Sequence, residues 1–299
     1  MITISRAPAY ATVQDRGRRG FLSAGVPRCG AMDLATLDTL NALLGNAVDC
    51  AAIEWALTAG ELRFTSTVTF AVGGARGALT LNDRDIDQWR AYTARPDETL
   101  MIGAPESGRF RYVAFSGGID CPRVMQSRST YVPGAFGGIE GRRLRTGDVL
   151  TAYGSTHRHQ VSDALPPDLV PSRSSEIRYV PRGYSQLGRD WIVSKASDRT
   201  GYRLEREPAI EGGTVTSEPV CPGTIQVPPG GEAIVLMADA PTVGGYTIAG
   251  GVISADLGAL AQSLPGERIE FSPVTSQVAQ RAIEREAERL ERVREWSLA

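Results

Sequence analysis

The chain has 299 residues, enough for a large core and for two domains. Hydrophobic residues make up 42% and charged residues 22%, and the net charge is −2, which offers no bulk attraction to nucleic acid or to an anionic membrane surface. There is no run of about 18 apolar residues, and "MITISRAPAY" lacks the apolar stretch of a secretory leader, so a cytoplasmic location is expected.

The first distinctive segment is "TVQDRGRRGFLSAGVPRCGAMD", residues 12 to 33. Glycine at this density disfavours helix by about 1 kcal/mol per residue. The recurrence of Val13, Phe21, Leu22, Val26 and Met32 equally disfavours a loose linker. The segment reads as an ordered loop whose backbone matters as much as its side chains. A helix follows over about 33–45: Asp33 can cap its start, Leu34, Leu37, Leu40 and Leu44 form a stripe, and Gly45 ends it.

Strand periodicity then dominates. In "LRFTSTVTFAV", Val68, Phe70 and Val72 alternate with Thr67 and Thr69. "TLMIGAPESGRFRYVAFSGG" reads as strand, turn and strand, as does "GTIQVPPGGEAIVLMAD" with "PPGG" as its turn. The proline- and serine-rich stretch 162–176 is the best domain boundary. "QDRGRRGF" and "SDRTGYRL" echo one another on its two sides, which permits two related β domains. The last element is a charged helix over about 276–296, with Val278, Ile283, Leu290, Val293 and Trp296 near one face. That stripe suits either the chain's own barrel or another subunit.

Several chemistries find little support. Cys29, Cys50, Cys121 and Cys221 are widely spaced without a CxxC pair, which argues for reduced, mostly buried thiols. His157 and His159 share a strand face in "THRHQ" but have no third ligand in sequence, so no metal site is expected. Lys195 is the sole lysine; it lies in neither a Walker A loop nor a Met-Lys carrier dipeptide. No nucleotide or biotin is therefore expected to be bound covalently or through a P-loop here. What remains is a set of loops combining glycine with Arg, Asp, Ser and Thr. Such loops bring backbone amides close to an anion or a planar amide, and arginine adds a planar fork for carboxylate-like groups. Tight β-turns also need Gly and Asp, and that alone explains many of these positions.

Taken in order, the motifs "TVQD-GR-G" (Thr12 to Gly20), "GVP--GAMD" (Gly25 to Asp33), "SRST" (Ser127 to Thr130), "SDR-GYRL" (Ser197 to Leu204), "PGTIQVP" (Pro222 to Pro228) and "T-GGY" (Thr242 to Tyr246) resemble the allophanate hydrolase subunit 2 family. This biotin-dependent carboxyltransferase-like family includes the C subunit of 5-oxoprolinase and part of the carboxyltransferase domain of urea carboxylase. The resemblance covers about residues 12–275. It implies a mostly β fold of two cyclophilin-like β-barrel units, set at 1–165 and 175–275, followed by a C-terminal helix at 276–299. It also implies a hetero-oligomer with an allophanate hydrolase subunit 1-like partner, acting on a small amide or lactam, with carboxybiotin or ATP supplied through partner subunits. The departures are "VPRGYSQ" at 180–186 in place of a Gly-Pro turn, Thr200 in place of methionine, and "LERE" in place of "LEG". They bear on pocket shape.

The same motifs supply the candidate site. Strand alternation puts Ile225 and Val227 on the core face and Gln226 on the opposite, cleft-facing side, where a carboxamide matches both halves of an amide substrate. Asp198, Arg203, Thr242, Gly244 and Gly245 are expected to bind substrate beside it, and Gln14, Asp15, Arg18, Ser127 and Arg128 to line the cleft; the catalytic residues stay unassigned. Two other readings remain open: a regulatory binding protein that antagonises a kinase inhibitor through its partner, and a prolyl isomerase suggested by fold alone.

Overall fold

The structure is a computed structural model that describes residues 1–154, 163–182 and 187–298. The chain is mostly β and divides into two compact units. One contains Met1–Gly17, Asp33–Pro171 and the chain from Ala287 on; the other contains Arg18–Met32 and Ser172–Glu286. Residues 18–32 thus belong with the second half of the sequence, and the C-terminal helix is divided between the units rather than forming a separate piece.

The first unit has twelve strands among its described residues: β1 (Ile2–Arg6), β2 (Tyr10–Gln14), β3 (Ala52–Ala56), β4 (Gly60–Phe64), β5 (Val68–Arg76), β6 (Leu79–Leu81), β7 (Arg84–Asp85), β8 (Ala91–Ala94), β9 (Thr99–Ile102), β10 (Ser107–Phe115), β11 (Ile119–Asp120) and β12 (Val149–Ala152). They form one sheet in the order β11-β12-β1-β4-β9-β6-β7 and another in the order β2-β3-β10-β5-β8. Alternating apolar residues of both sheets share one core, including Ile4, Val13, Trp55, Phe64, Phe70 and Val113. Phe64 stacks on Phe70 with ring centroids 5.2 Å apart.

The other face of the five-stranded sheet is polar yet buried. Thr12, Glu54 and Tyr112 lie side by side in register on β2, β3 and β10. The Tyr112 hydroxyl donates to Glu54 at 2.7 Å and accepts the Asp33 amide at 2.8 Å. That bond fixes the start of helix α1 (Leu34–Leu43). Asp33 caps it as expected, accepting from the Thr36 amide at 3.0 Å and the Thr36 hydroxyl at 2.7 Å. Leu37, Leu40 and Leu44 are buried beneath it.

In the second unit, β13 (Glu176–Pro181), β20 (Arg268–Pro273), β14 (Trp191–Val193), β15 (Gly201–Glu205), β18 (Ala233–Leu236), β17 (Thr224–Val227) and β19 (Val243–Val252) run side by side, and β13 pairs back onto β19 to close a barrel. Closure leaves none of these seven strands as a free edge. Strand β16 (Thr214–Pro219) pairs only with the first half of β19 and stands outside the closed ring. The short helix α2 (Leu257–Ala261) has no clear signal in the sequence.

Helix α3 (Ser276–Leu298) differs from expectation in its inward face. Val278 and Ile283 are 38% and 45% exposed, whereas Ala282, Val293 and Ser297 are buried. Small side chains let the helix lie close, and Arg289 secures it by donating to the Thr39 hydroxyl at 2.8 Å. Of the expected stripe, Val293 is buried and Leu290 and Trp296 are half-buried, so it holds toward the C-terminal end and fails at Val278 and Ile283. Replacing Asp33 with alanine removes the α1 cap and is expected to lower unfolding free energy by about 1 kcal/mol, with the far-UV spectrum still β-dominated. Urea denaturation measures this.

Candidate functional site

Gln226 lies at an irregularity built into the barrel. Along β17 and β19, Ile225 faces Gly250 but Gln226 faces Ile248, so Ala249 is an extra residue in β19. A bulge of this kind re-aims side chains and often marks a site. Ile225 and Val227 are fully buried in the barrel, and Gln226 points to the opposite face. That face is covered as well: Gln226 is only 4% exposed. It lies beside a second, smaller apolar cluster of Val220, Ile234, Leu236 and Ala240, with Ile248 packed against it. Ile234 and Ile248 are its register partners on either side.

The Gln226 carboxamide nitrogen is buried and makes no hydrogen bond among the described residues. A buried amide N–H without an acceptor costs about 1–3 kcal/mol, so its persistence calls for a reason. It lies against the bare Cα of Gly244, where a Cβ would come within 2.1 Å of it. Thr242 frames the same corner through its carbonyl, which accepts the Val220 amide at 3.0 Å. Tyr246, two positions beyond Gly244 on the same strand face, is 39% exposed and flanks this corner. Gly245 lies on the other face, with Ser217 and Val215 as its nearest neighbours.

Asp198 lies in the turn entering β15, and Arg203 lies within that strand. Asp198 is exposed, and its carboxylate accepts the Thr200 amide at 2.8 Å and the Gly201 amide at 3.2 Å. Arg203 shares the register row of Ile234 and Gln226, but it reaches outward to an exposed ion pair with Glu232. The arginine between them, Arg199, is a buried charge that sequence reasoning misses. It is buried and bidentate with Asp239, Nε to Oδ2 at 2.9 Å and Nη2 to Oδ1 at 2.8 Å. Nη2 also donates to the Gly30 carbonyl at 2.7 Å, which ties residues 18–32 to this unit. The signal available is the arginine inside "SDR-GYRL"; its partner, forty residues on in "MADAPT", carries none.

Arg18, also fully buried, and Cys29 complete this cluster. Burial pushes the Cys29 thiol up to about 12; Asp239 adds to the shift, and Arg18 and Arg199 oppose it. A thiol so raised stays protonated and is a poor nucleophile.

The remaining candidates lie in the first unit. Asp15 is buried, and its carboxylate accepts from the Ser127 hydroxyl at 2.6 Å, the Arg128 amide at 2.6 Å, the Gly17 amide at 2.8 Å and the Ser129 hydroxyl. Four donors saturate it, so its work is to hold the "SRST" loop. Gln14 is fully buried, donating to the Thr12 hydroxyl at 3.0 Å and the Thr130 carbonyl at 3.1 Å. Arg128 reaches the Cys121 carbonyl and the Tyr153 hydroxyl. The structure thus joins Asp15 with Ser127 and Arg128 in one unit, and Gln226 with Gly244 in the other. Among the described residues no group of three His, Cys, Asp or Glu is placed to hold a metal ion. His157 and His159, like the 183–186 portion of "VPRGYSQ", lie outside the described residues.

A β-barrel with this bulge and these motifs defines a class. The chain belongs to the family of the carboxyltransferase domain, subdomains A and B, with the match spanning residues 24–273. It is similar to the C subunit of 5-oxoprolinase from Haemophilus influenzae, 38% identical over 290 residues that cover 93% of each chain. The corresponding Escherichia coli protein is 35% identical over 284 residues, covering 91% of this chain and 90% of that one. Among solved structures, the Kluyveromyces lactis urea carboxylase matches with a TM-score of 0.88 and 28% identity, over 98% of this chain but only 29% of that one.

Two outcomes follow from the buried cluster. Asp239→Ala strands the Arg199 charge without its carboxylate, and is expected to cost about 3–5 kcal/mol in urea denaturation, whereas replacing both residues with apolar ones of similar volume costs less. In native protein a disulfide thiol reagent should modify exposed Cys221 promptly and leave Cys29 and Cys121 unreacted until denaturant is added. Since folding raises the Cys29 value, its contribution to stability is intact below the unfolded thiol's 9.0 and is lost as pH climbs from there toward 12.

Proposed function

We propose that this chain is a non-autonomous subunit of a 5-oxoprolinase-like complex, in which Gln226 binds the amide of a small lactam. The observation that carries the reading is the orphaned Gln226 Nε2. A donor kept buried and unused matches a ligand that brings a carbonyl oxygen. The wall around it favours a lactam over urea. Val220, Ile234 and Ile248 offer apolar contact to ring methylenes, which urea lacks. Two relatives matched over nearly their full length, both C subunits of 5-oxoprolinase, support the same choice.

In this reading Nε2 donates to the lactam carbonyl, polarising it toward attack, and the apolar wall orients the ring. Ring opening breaks the lactam C–N bond; water supplies hydroxyl to the carbonyl carbon and a proton to the nitrogen. ATP is assigned to partner subunits, including an allophanate hydrolase subunit 1-like chain. Carboxybiotin has no place in this reading. The sole lysine, Lys195, is exposed in a Ser-Lys-Ala context that suits neither phosphate binding nor biotin attachment.

The test is reconstitution with the partner subunits and measurement of ATP-dependent glutamate formation from 5-oxoproline. Gln226→Ala is expected to leave complex formation intact and to lower kcat/KM by a factor corresponding to about 1–3 kcal/mol, roughly 5- to 150-fold. Wild-type turnover by the variant complex, or ATP-dependent carboxylation of urea in place of lactam opening, would overturn the proposal.

A further inference from the structure

Gly244 and Gly245 are adjacent in β19, and neither occupies the left-handed region of backbone space. Backbone conformation therefore gives neither a reason to be glycine. Their surroundings differ. A Cβ on Gly245 would meet Ser217 Oγ and the Val215 carbonyl at 3.5 Å, an ordinary contact. A Cβ on Gly244 would fall 2.1 Å from Gln226 Nε2 and 3.2 Å from Gln226 Cδ. Val220 Cγ1 would be its next neighbour, also at 3.2 Å. The volume of the missing side chain is thus occupied by the Gln226 carboxamide. Gln226 is confined on its other sides as well, with Ile234 and Ile248 as register partners and the bulge at Ala249 setting its direction.

We infer that Gly244 is a positioning residue that acts through Gln226: its bare Cα seats the carboxamide nitrogen, and any side chain at 244 turns that donor away from the substrate. The consequence for lactam binding rests on the function proposed above; the steric coupling itself does not. Gly244 supplies no reacting group. It determines which way the donor points, and so couples the strand that carries β16 to the recognition of an amide carbonyl.

The experiment is a double-mutant cycle on the full chain, read by urea unfolding and, in the reconstituted complex, by 5-oxoproline turnover. Gly244→Ala should lower unfolding stability in the wild-type background but have little effect in Gln226→Ala, where the obstructing atoms are gone. In turnover, Gly244→Ala should raise KM and lower kcat/KM to within about twofold of Gln226→Ala, and the double variant should be no worse than Gln226→Ala alone. In urea unfolding Gly245→Ala should stay near wild type, because a Cβ there meets only ordinary contacts. Gln226→Asn, one methylene shorter, should restore part of the activity lost in Gly244→Ala by withdrawing the amide from the new methyl group. Additive unfolding effects at the two positions overturn the inference whatever the turnover does, as does wild-type turnover by Gly244→Ala when Gln226→Ala is impaired. Coupled unfolding effects with an active Gln226→Ala complex would uphold the steric inference while overturning the function proposed for Gln226.

Discussion

The second unit depends on a buried ion pair. Arg199 and Asp239 meet through two parallel hydrogen bonds in a low-dielectric setting, where either charge left alone would be costly. The guanidinium has a further N–H to offer, and it donates to the Gly30 carbonyl. Only arginine can do both, since its planar fork satisfies a carboxylate along one edge and still presents another donor. The pair is reinforced by the backbone, with the Asp239 amide donating to the Arg199 carbonyl at 2.8 Å. Through this contact the glycine-rich segment 18–32, which leaves β2 in the first unit, becomes part of the second.

A related device stands in the first unit. Asp15 accepts the amide two residues ahead, at Gly17, and Asp198 accepts the amide two residues ahead, at Thr200. The arginine after each aspartate then faces another carboxylate: Arg16 approaches Asp38 at 3.4 Å, and Arg199 grips Asp239. The short echo between "QDRG" and "SDRTG" therefore reflects one turn chemistry used twice. The two turns differ in strength. The Arg16 contact is long and partly exposed, whereas the Arg199 contact is bidentate and dry.

Local features are legible in the sequence because their causes are local. Asp33 and the leucine stripe place α1 within two residues of its observed ends, and "PPGG" joins the two strands it is expected to join. Alternation correctly sets Gln226 opposite Ile225 and Val227, yet it cannot say that a second apolar cluster covers that side. Period two reports which face a residue takes, not what lies over it. The long-range features are hidden for a similar reason. Arg199 and Gly30 are 169 residues apart. On α3 the expected stripe holds at Val293 and fails at Val278 and Ile283, while Ala282, too small to signal in the pattern, is buried. In sequence Gly244 is singled out only as a candidate substrate contact, and that a side chain there would overlap the Gln226 carboxamide is visible only once its neighbour is in view.

Strand β19 has two unlike halves. At residues 250–252 it pairs with β13, at 247–248 and 250–251 it pairs with β17 on both sides of the bulge, and at 243–246 it pairs with β16 and carries Gly244 and Tyr246. The bulge lies within the β17 pairing, so β17 holds the register on both sides of it, whereas residues 243–246 pair with β16, outside the closed ring. A single strand is thereby split into a conservative end, whose alteration would open the barrel, and a permissive end, whose alteration would reshape only what the barrel holds. Residues 243–246 can therefore vary at little cost to barrel closure, because the strand they pair with stands outside the ring.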